Sequence, residues 1–131
     1  MPNHNDVAYV EFRADHIVVD KEDNSRQTHP IQHGYKLLRM RRDGTLGPLF
    51  IHREQRIPIG EWLTAEDHKT KGYAHRPGWH VTGKHCAPHL STVGRVWAKV
   101  EFADFTQLRR PKSQGGTWYL ANYMKVVRVC R

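Results

Sequence analysis

Apolar and polar positions alternate in short runs along most of the chain, and the runs end at Gly, Pro, Asp and Asn. That is the pattern of a strand-rich domain. VAYVEFRADHIVVD, residues 7–20, has two β-branched runs broken at Arg13-Ala14-Asp15 and predicts a hairpin or two short strands. The polar stretch KEDNSRQTHPIQHG, residues 21–34, predicts a linker loop. YKLLRMRRDGTLGPLFI, residues 35–51, predicts a second hairpin turning at Asp43-Gly44. Its alternation sets Tyr35, Leu37 and Arg39 on one face and Lys36, Leu38 and Met40 on the other, so neither face is cleanly apolar and one is expected to border a cleft.

Beyond the hairpin, Pro58 and Gly60 restrict RIPIGEW, residues 56–62, to a short edge strand and a turn. EDHKTKGYAHRPG, residues 66–78, has the composition of a solvated loop, GWHVT, residues 78–82, resumes strand character, and APHLST, residues 87–92, predicts one helical turn. GRVWAKVEFADF, residues 94–105, sets Val96, Ala98, Val100 and Phe102 against Trp97, Lys99 and Glu101, a half-buried strand. A basic turn-rich loop, residues 108–116, leads to a last strand with Met124, Val126 and Val129 as core candidates.

The expected fold is therefore α+β: a strand-rich compact domain with a small twisted antiparallel or mixed sheet and one or two short helices. Residues 1–34 form an N-terminal strand pair and polar linker, read as an appendage, and residues 35–131 form the main domain. A length of 131 residues suits one modest core. The hydrophobic fraction of 38% is low, but four Trp, five Tyr and four Phe supply large pieces of buriable surface.

Charge changes the picture. The net charge is +8, yet residues 1–34 hold six acidic and three basic side chains while the remainder holds seven and eighteen. A basic, partner-facing surface is thus expected after His33, and polyanions are its natural partners through counterion release. Arg41, Arg42, Arg76, Arg109, Arg110 and Lys112 are the candidate contacts, with Tyr35, Trp118 and Tyr119 near enough in sequence to stack on bases. No apolar run reaches the roughly 20 residues of a membrane helix, and no signal-peptide pattern opens the chain. A cytoplasmic protein with no membrane partner and free thiols at Cys86 and Cys130 is expected.

RPGWHVTGKHCAPH, residues 76–89, concentrates the histidines. His80, His85 and His89 with Cys86 nearby have the donor chemistry for zinc, which would suit a metal-dependent hydrolase, although Pro88 interrupts the helix that would align His85 and His89. If residues 78–82 form a strand, Trp79 serves the core and His80 meets the opposite side. Arg76 stands beside them as a binding residue, or as a partner of Glu61 or Glu66. DHIVVDKEDN, with its Asp-His pair, suggests a metal-dependent nuclease, but nothing later in the chain completes that pattern.

In order, GYKLLRM, GPLFI, IPIGEWL, RPGWH, GRVWAKVEF and MKVVRV resemble an uncharacterised domain of phage and prophage proteins, sometimes found within larger polyvalent proteins. The resemblance covers residues 34–129, and PIGEW and RPGWH are its most specific parts. It implies an accessory protein of a mobile element that engages host nucleic acid or a host defence ribonucleoprotein, in the manner of an anti-CRISPR-type inhibitor, or a host protein. The element order also loosely resembles a compact ADP-ribosyltransferase-like fold. That likeness implies an NAD-dependent enzyme in which Arg39, His80 and Glu101 line the cleft, without a Ser-Thr-Ser triplet or a Glu-x-Glu pair.

Overall fold

The computed structural model describes residues 7–49, 55–65, 78–84, 93–114 and 116–130. Nine strands account for about two thirds of them: β1 (Val7–Phe12), β2 (His16–Lys21), β3 (Arg26–Pro30), β4 (Gln32–Met40), β5 (Leu46–Gly47), β6 (Trp62–Thr64), β7 (Trp79–Thr82), β8 (Arg95–Arg109) and β9 (Thr117–Val129). The fold is all-β, which overturns the α+β expectation. Among the described residues the helical content is a single 3-10 turn at Lys112–Gln114, and residues 87–92, expected to hold a helical turn, lie outside them. Residues 21–34 are not a linker either. β3 and the start of β4 occupy that stretch, on side chains too polar to announce a strand.

β8 and β9 form a long hairpin, with Arg109 opposite Thr117 at its tip and Ala98 opposite Val129 near its base. β4 pairs with β8 from Gln32↔Phe102 to Arg39↔Arg95. β7 runs along the other edge of β9, from Trp79↔Ala121 to Thr82↔Trp118, and returns to β4 through Tyr35↔Thr82. These four strands close a ring. β6 extends the β9 edge, from Trp62↔Lys125 to Thr64↔Tyr123, and β5 pairs with the end of β4.

Closure at the β4/β7 seam depends on Gly34. A Cβ there would stand 2.7 Å from Val81 Cγ1 and 2.8 Å from the Thr82 carbonyl oxygen. Only the absence of a side chain lets the two strands approach this closely.

The ring encloses the main core. Ala98, Val100 and Phe102 from β8, Met124 and Val126 from β9, Leu38 from β4, and Trp79 and Val81 from β7 pack inside it. Strict alternation in β8 produces this face, and full burial of a Val or Phe stabilises by about 1.5–3 kcal/mol each. At Asp104, whose φ of 55° lies in the left-handed region, the hairpin changes facing. Before it Phe102 points inward, whereas beyond it Phe105 and Tyr119 meet the Phe102 ring at 5.1 and 5.3 Å.

The sheet β1–β2–β3 packs on the outer side of the hairpin at this corner. Ile17 and Val19 bury against Ala103 and Tyr123. Phe12 stacks on Trp62 at 5.2 Å and meets Tyr123 edge-on. No helix among the described residues is long and apolar enough to cross a membrane.

Candidate nucleic-acid interface

Since the even-numbered residues of β4 and of the first half of β8 point into the barrel, their odd-numbered neighbours form the outer face. Register sorts that face into rows. Next to the small sheet lies His33–Glu101–Lys125, then Tyr35–Lys99–Arg128, then Leu37–Trp97, and last Arg39–Arg95. Five cations, two large aromatics and one carboxylate share it.

The first row is closed on itself. Lys125 Nζ donates to Glu101 Oε1 at 2.8 Å and lies 5.3 Å from the Trp62 ring centroid, and His33 Nε2 is 4.0 Å from Glu101 Oε2. Glu101 is therefore spent within the protein. The remaining rows hold Arg39, which donates to the Leu49 carbonyl, with Arg95, Lys99 and Arg128, and the register places no acidic side chain among them.

Lys99 and Arg128 are direct cross-strand partners, as are Arg39 and Arg95. Opposed like charges destabilise a sheet. A bulge in the β8/β9 ladder at Lys99/Val100 turns both Val127 and Arg128 to solvent. Tyr35 and Trp97 are half-buried between these cations. At about 4.8 Å between strands and about 3.3 Å per residue, these rows span roughly 10 by 13 Å, with Leu37 buried among them. That combination of basic side chains and aromatic surface can hold the phosphates and bases of an unpaired strand.

The residues singled out in the sequence are distributed otherwise. Arg41 is engaged by the protein itself: Nη1 donates to the Leu46 carbonyl at 2.8 Å and Nη2 to the Gln55 carbonyl at 2.9 Å. Arg42 is exposed in the β4–β5 turn, and Arg109, Arg110 and Lys112 are exposed around the β8–β9 turn. Arg95, the register partner of Arg39, opens β8 and Arg109 closes it, so the two turns lie at opposite ends of the longest strand. Arg76 lies outside the described residues.

Arg39, His80 and Glu101 do not gather into a cleft of the kind the ADP-ribosyltransferase likeness implied. Glu101 is opposite His33, six residues from Arg39 along β4, which is roughly 20 Å of strand. Arg39 Nη2 instead donates to the Leu49 carbonyl at 3.3 Å. Of the three histidines considered as zinc ligands, His80 is on β7 opposite Leu120, and His85 and His89 lie outside the described residues. No group of three or more His, Cys, Asp or Glu side chains is placed to hold a metal among the described residues.

Lys99, Arg95 and Arg128 were missed by the sequence reading, though two signals mark them. The alternation that buries Val100 turns Lys99 outward, and residues 105–131 carry Arg109, Arg110, Lys112, Lys125, Arg128 and Arg131 without a single carboxylate.

Two further polar features lie in the walls. Where β4 and β7 part beyond Tyr35↔Thr82, Lys36 Nζ donates to the His80 carbonyl at 2.8 Å, and burial pushes its ammonium down to about 8. At the corner, Asn122 Nδ2 donates to Asp104 Oδ2 at 2.8 Å, and His29 Nδ1 is 3.7 Å from Asp104 Oδ1. Both groups hold elements together.

No protein-family model, curated protein or solved structure matches the chain.

Proposed function

We propose that this protein binds single-stranded nucleic acid through the outer face of β4, β8 and β9. The cross-strand cation pair Lys99/Arg128, set beside half-buried Tyr35 and Trp97, is the observation that carries the reading. A sheet tolerates opposed cations at a cost, and an anionic ligand lying across them offsets it. Sheet faces with aromatic side chains suit unpaired bases that remain stacked better than a rigid duplex. On the proposed reading, the resemblance to a phage and prophage domain favours a ligand of a bacterial host, as free nucleic acid or as the RNA of a ribonucleoprotein. No catalytic step is needed for this role.

The test is fluorescence anisotropy with a labelled, unstructured oligopyrimidine across a salt series. Each phosphate contact on a single strand contributes about 0.7 to the slope of log affinity against log salt. The variant Lys99→Glu/Arg128→Glu is expected to flatten the slope by about 1.4 while far-ultraviolet circular dichroism stays unchanged. An unaltered slope and affinity in that variant would remove this face from the reading.

A further inference from the structure

Arg109, Arg110 and Lys112 sit at the far end of β8, yet strand pairing returns that end to the outer face. Tyr35 has Lys99 on one side and Thr82 on the other, and Thr82 in turn pairs with Trp118. From Tyr35 to Trp118 is thus two strand spacings, about 10 Å, although Lys99 and Leu108, their neighbours on β8, are nine residues apart in sequence.

The turn itself is folded back over the wall. Trp118 is buried, and its Nε1 donates to the Gln114 carbonyl at 2.7 Å, which draws the Lys112–Gln114 turn down onto β9. Backbone bonds from Arg110 to the Gly116 carbonyl, and from Gln114 and Gly116 to the Pro111 carbonyl, fix its shape. These bonds fix the backbone that carries three exposed cations within four residues.

Resting on the reading above, we infer that the bound strand continues from the Arg39–Arg95 and Lys99–Arg128 rows, around the β4/β7 seam, to the cations of the β8–β9 turn. Thr82 and Trp118 are buried and set the spacing without touching the ligand. Four residues along β4 and two strand spacings give a path of roughly 23 Å, or about seven nucleotide steps for a strand that keeps the stacked spacing of about 3.4 Å per step. The sheet face alone spans about four steps. The ligand is then a single strand of about eight nucleotides, within the range of about 4 to 16 that one small barrel holds.

A series of unstructured oligopyrimidines from about four to about sixteen nucleotides tests this by anisotropy at fixed salt. In the wild-type protein affinity is expected to rise with length, gaining at least about tenfold between about five and about eight nucleotides, and then to level off. Arg109→Gln/Arg110→Gln/Lys112→Gln is expected to level off at about five, with short-oligonucleotide affinity unchanged. A wild-type plateau already at about five, or an equal loss for short and long oligonucleotides in the triple variant, overturns the inference and leaves the sheet-face reading standing. Absence of binding at every length overturns both.

Discussion

The small sheet and the barrel treat charge in opposite ways. In β1–β3 the carboxylates find partners close by in sequence: Glu11 pairs with Arg13 at 3.1 Å, Asp15 with His16, Asp20 with Arg26 at 3.4 Å, and Asp23 accepts from the Ser25 backbone N–H at 2.9 Å. These local bonds hold the carboxyls of Asp15 and Asp23 below the usual range, through His16 in the first case and Ser25 in the second. On the barrel, Lys99 faces Arg128 across the ladder. Charges satisfied within a few residues serve folding, whereas opposed charges of one sign keep a potential directed outward.

Double reversal at Lys99 and Arg128 tests that contrast most strongly. It should lower oligonucleotide affinity by about two orders of magnitude, since two attractive contacts become repulsive. The single change Arg128→Glu is sharper still, because it replaces a repulsive cross-strand pair with an attractive one. Urea denaturation should show it more stable by about 0.2–1 kcal/mol while binding weakens. Stability and affinity falling together would mean that Arg128 is structural, and the contrast between the two regions would collapse.

Next in size is Gly34→Ala. The added methyl meets Val81 Cγ1 and a backbone carbonyl that cannot swing away, so about 1–3 kcal/mol of stability should be lost. If the seam joins the sheet face to the β8–β9 turn, the variant should also bind long oligonucleotides no better than short ones. Retained length dependence would show that the two basic clusters do not need β4/β7 closure to act together.

Several of these elements were readable in the chain. The Asp43-Gly44 turn forms where its residue types demand, with Gly44 at φ 84° and Thr45 N–H bonded to Asp43 Oδ1. Val100 and Phe102 are buried as the alternation of residues 94–105 requires. β3 was hidden because RQTHP is exposed at four of five positions and earns no hydrophobic period. The face proposed for binding was hidden for a different reason. Lys99 lies opposite Arg128 only through a non-local register containing a bulge, and no local pattern encodes that offset.

Lys36 should give a smaller, pH-dependent effect. Its folded-state ammonium titrates near 8 because burial disfavours the charge, while an unfolded lysine titrates near the ordinary value of 10.5. Below about 8 both states are charged and the folded state bears the full cost. Between about 8 and 10.5 the unfolded chain binds more protons, so stability should rise with pH across that window. At about 1.36 kcal/mol per pH unit the upper bound is about 3 kcal/mol, with about 1–2 expected because the charged amine also satisfies the His80 carbonyl. In Lys36→Met the rise should vanish, and a persisting rise would assign the titration elsewhere.

The least perturbing change belongs to the small sheet. Asp20 and Arg26 are substantially exposed, so Asp20→Asn/Arg26→Gln should alter stability by less than about 1 kcal/mol. It removes one charge of each sign, so the net field over the barrel face is unchanged and the salt slope of binding should be too. Asp20→Asn alone leaves Arg26 without its partner and subtracts one negative charge from the acidic sheet. If Asp20 lies beyond a screening length of about 8–10 Å from the bound strand, affinity should stay within about twofold. Tighter binding in the single variant but not in the double one would show that the small sheet electrostatically limits what the barrel holds, making the two regions one device.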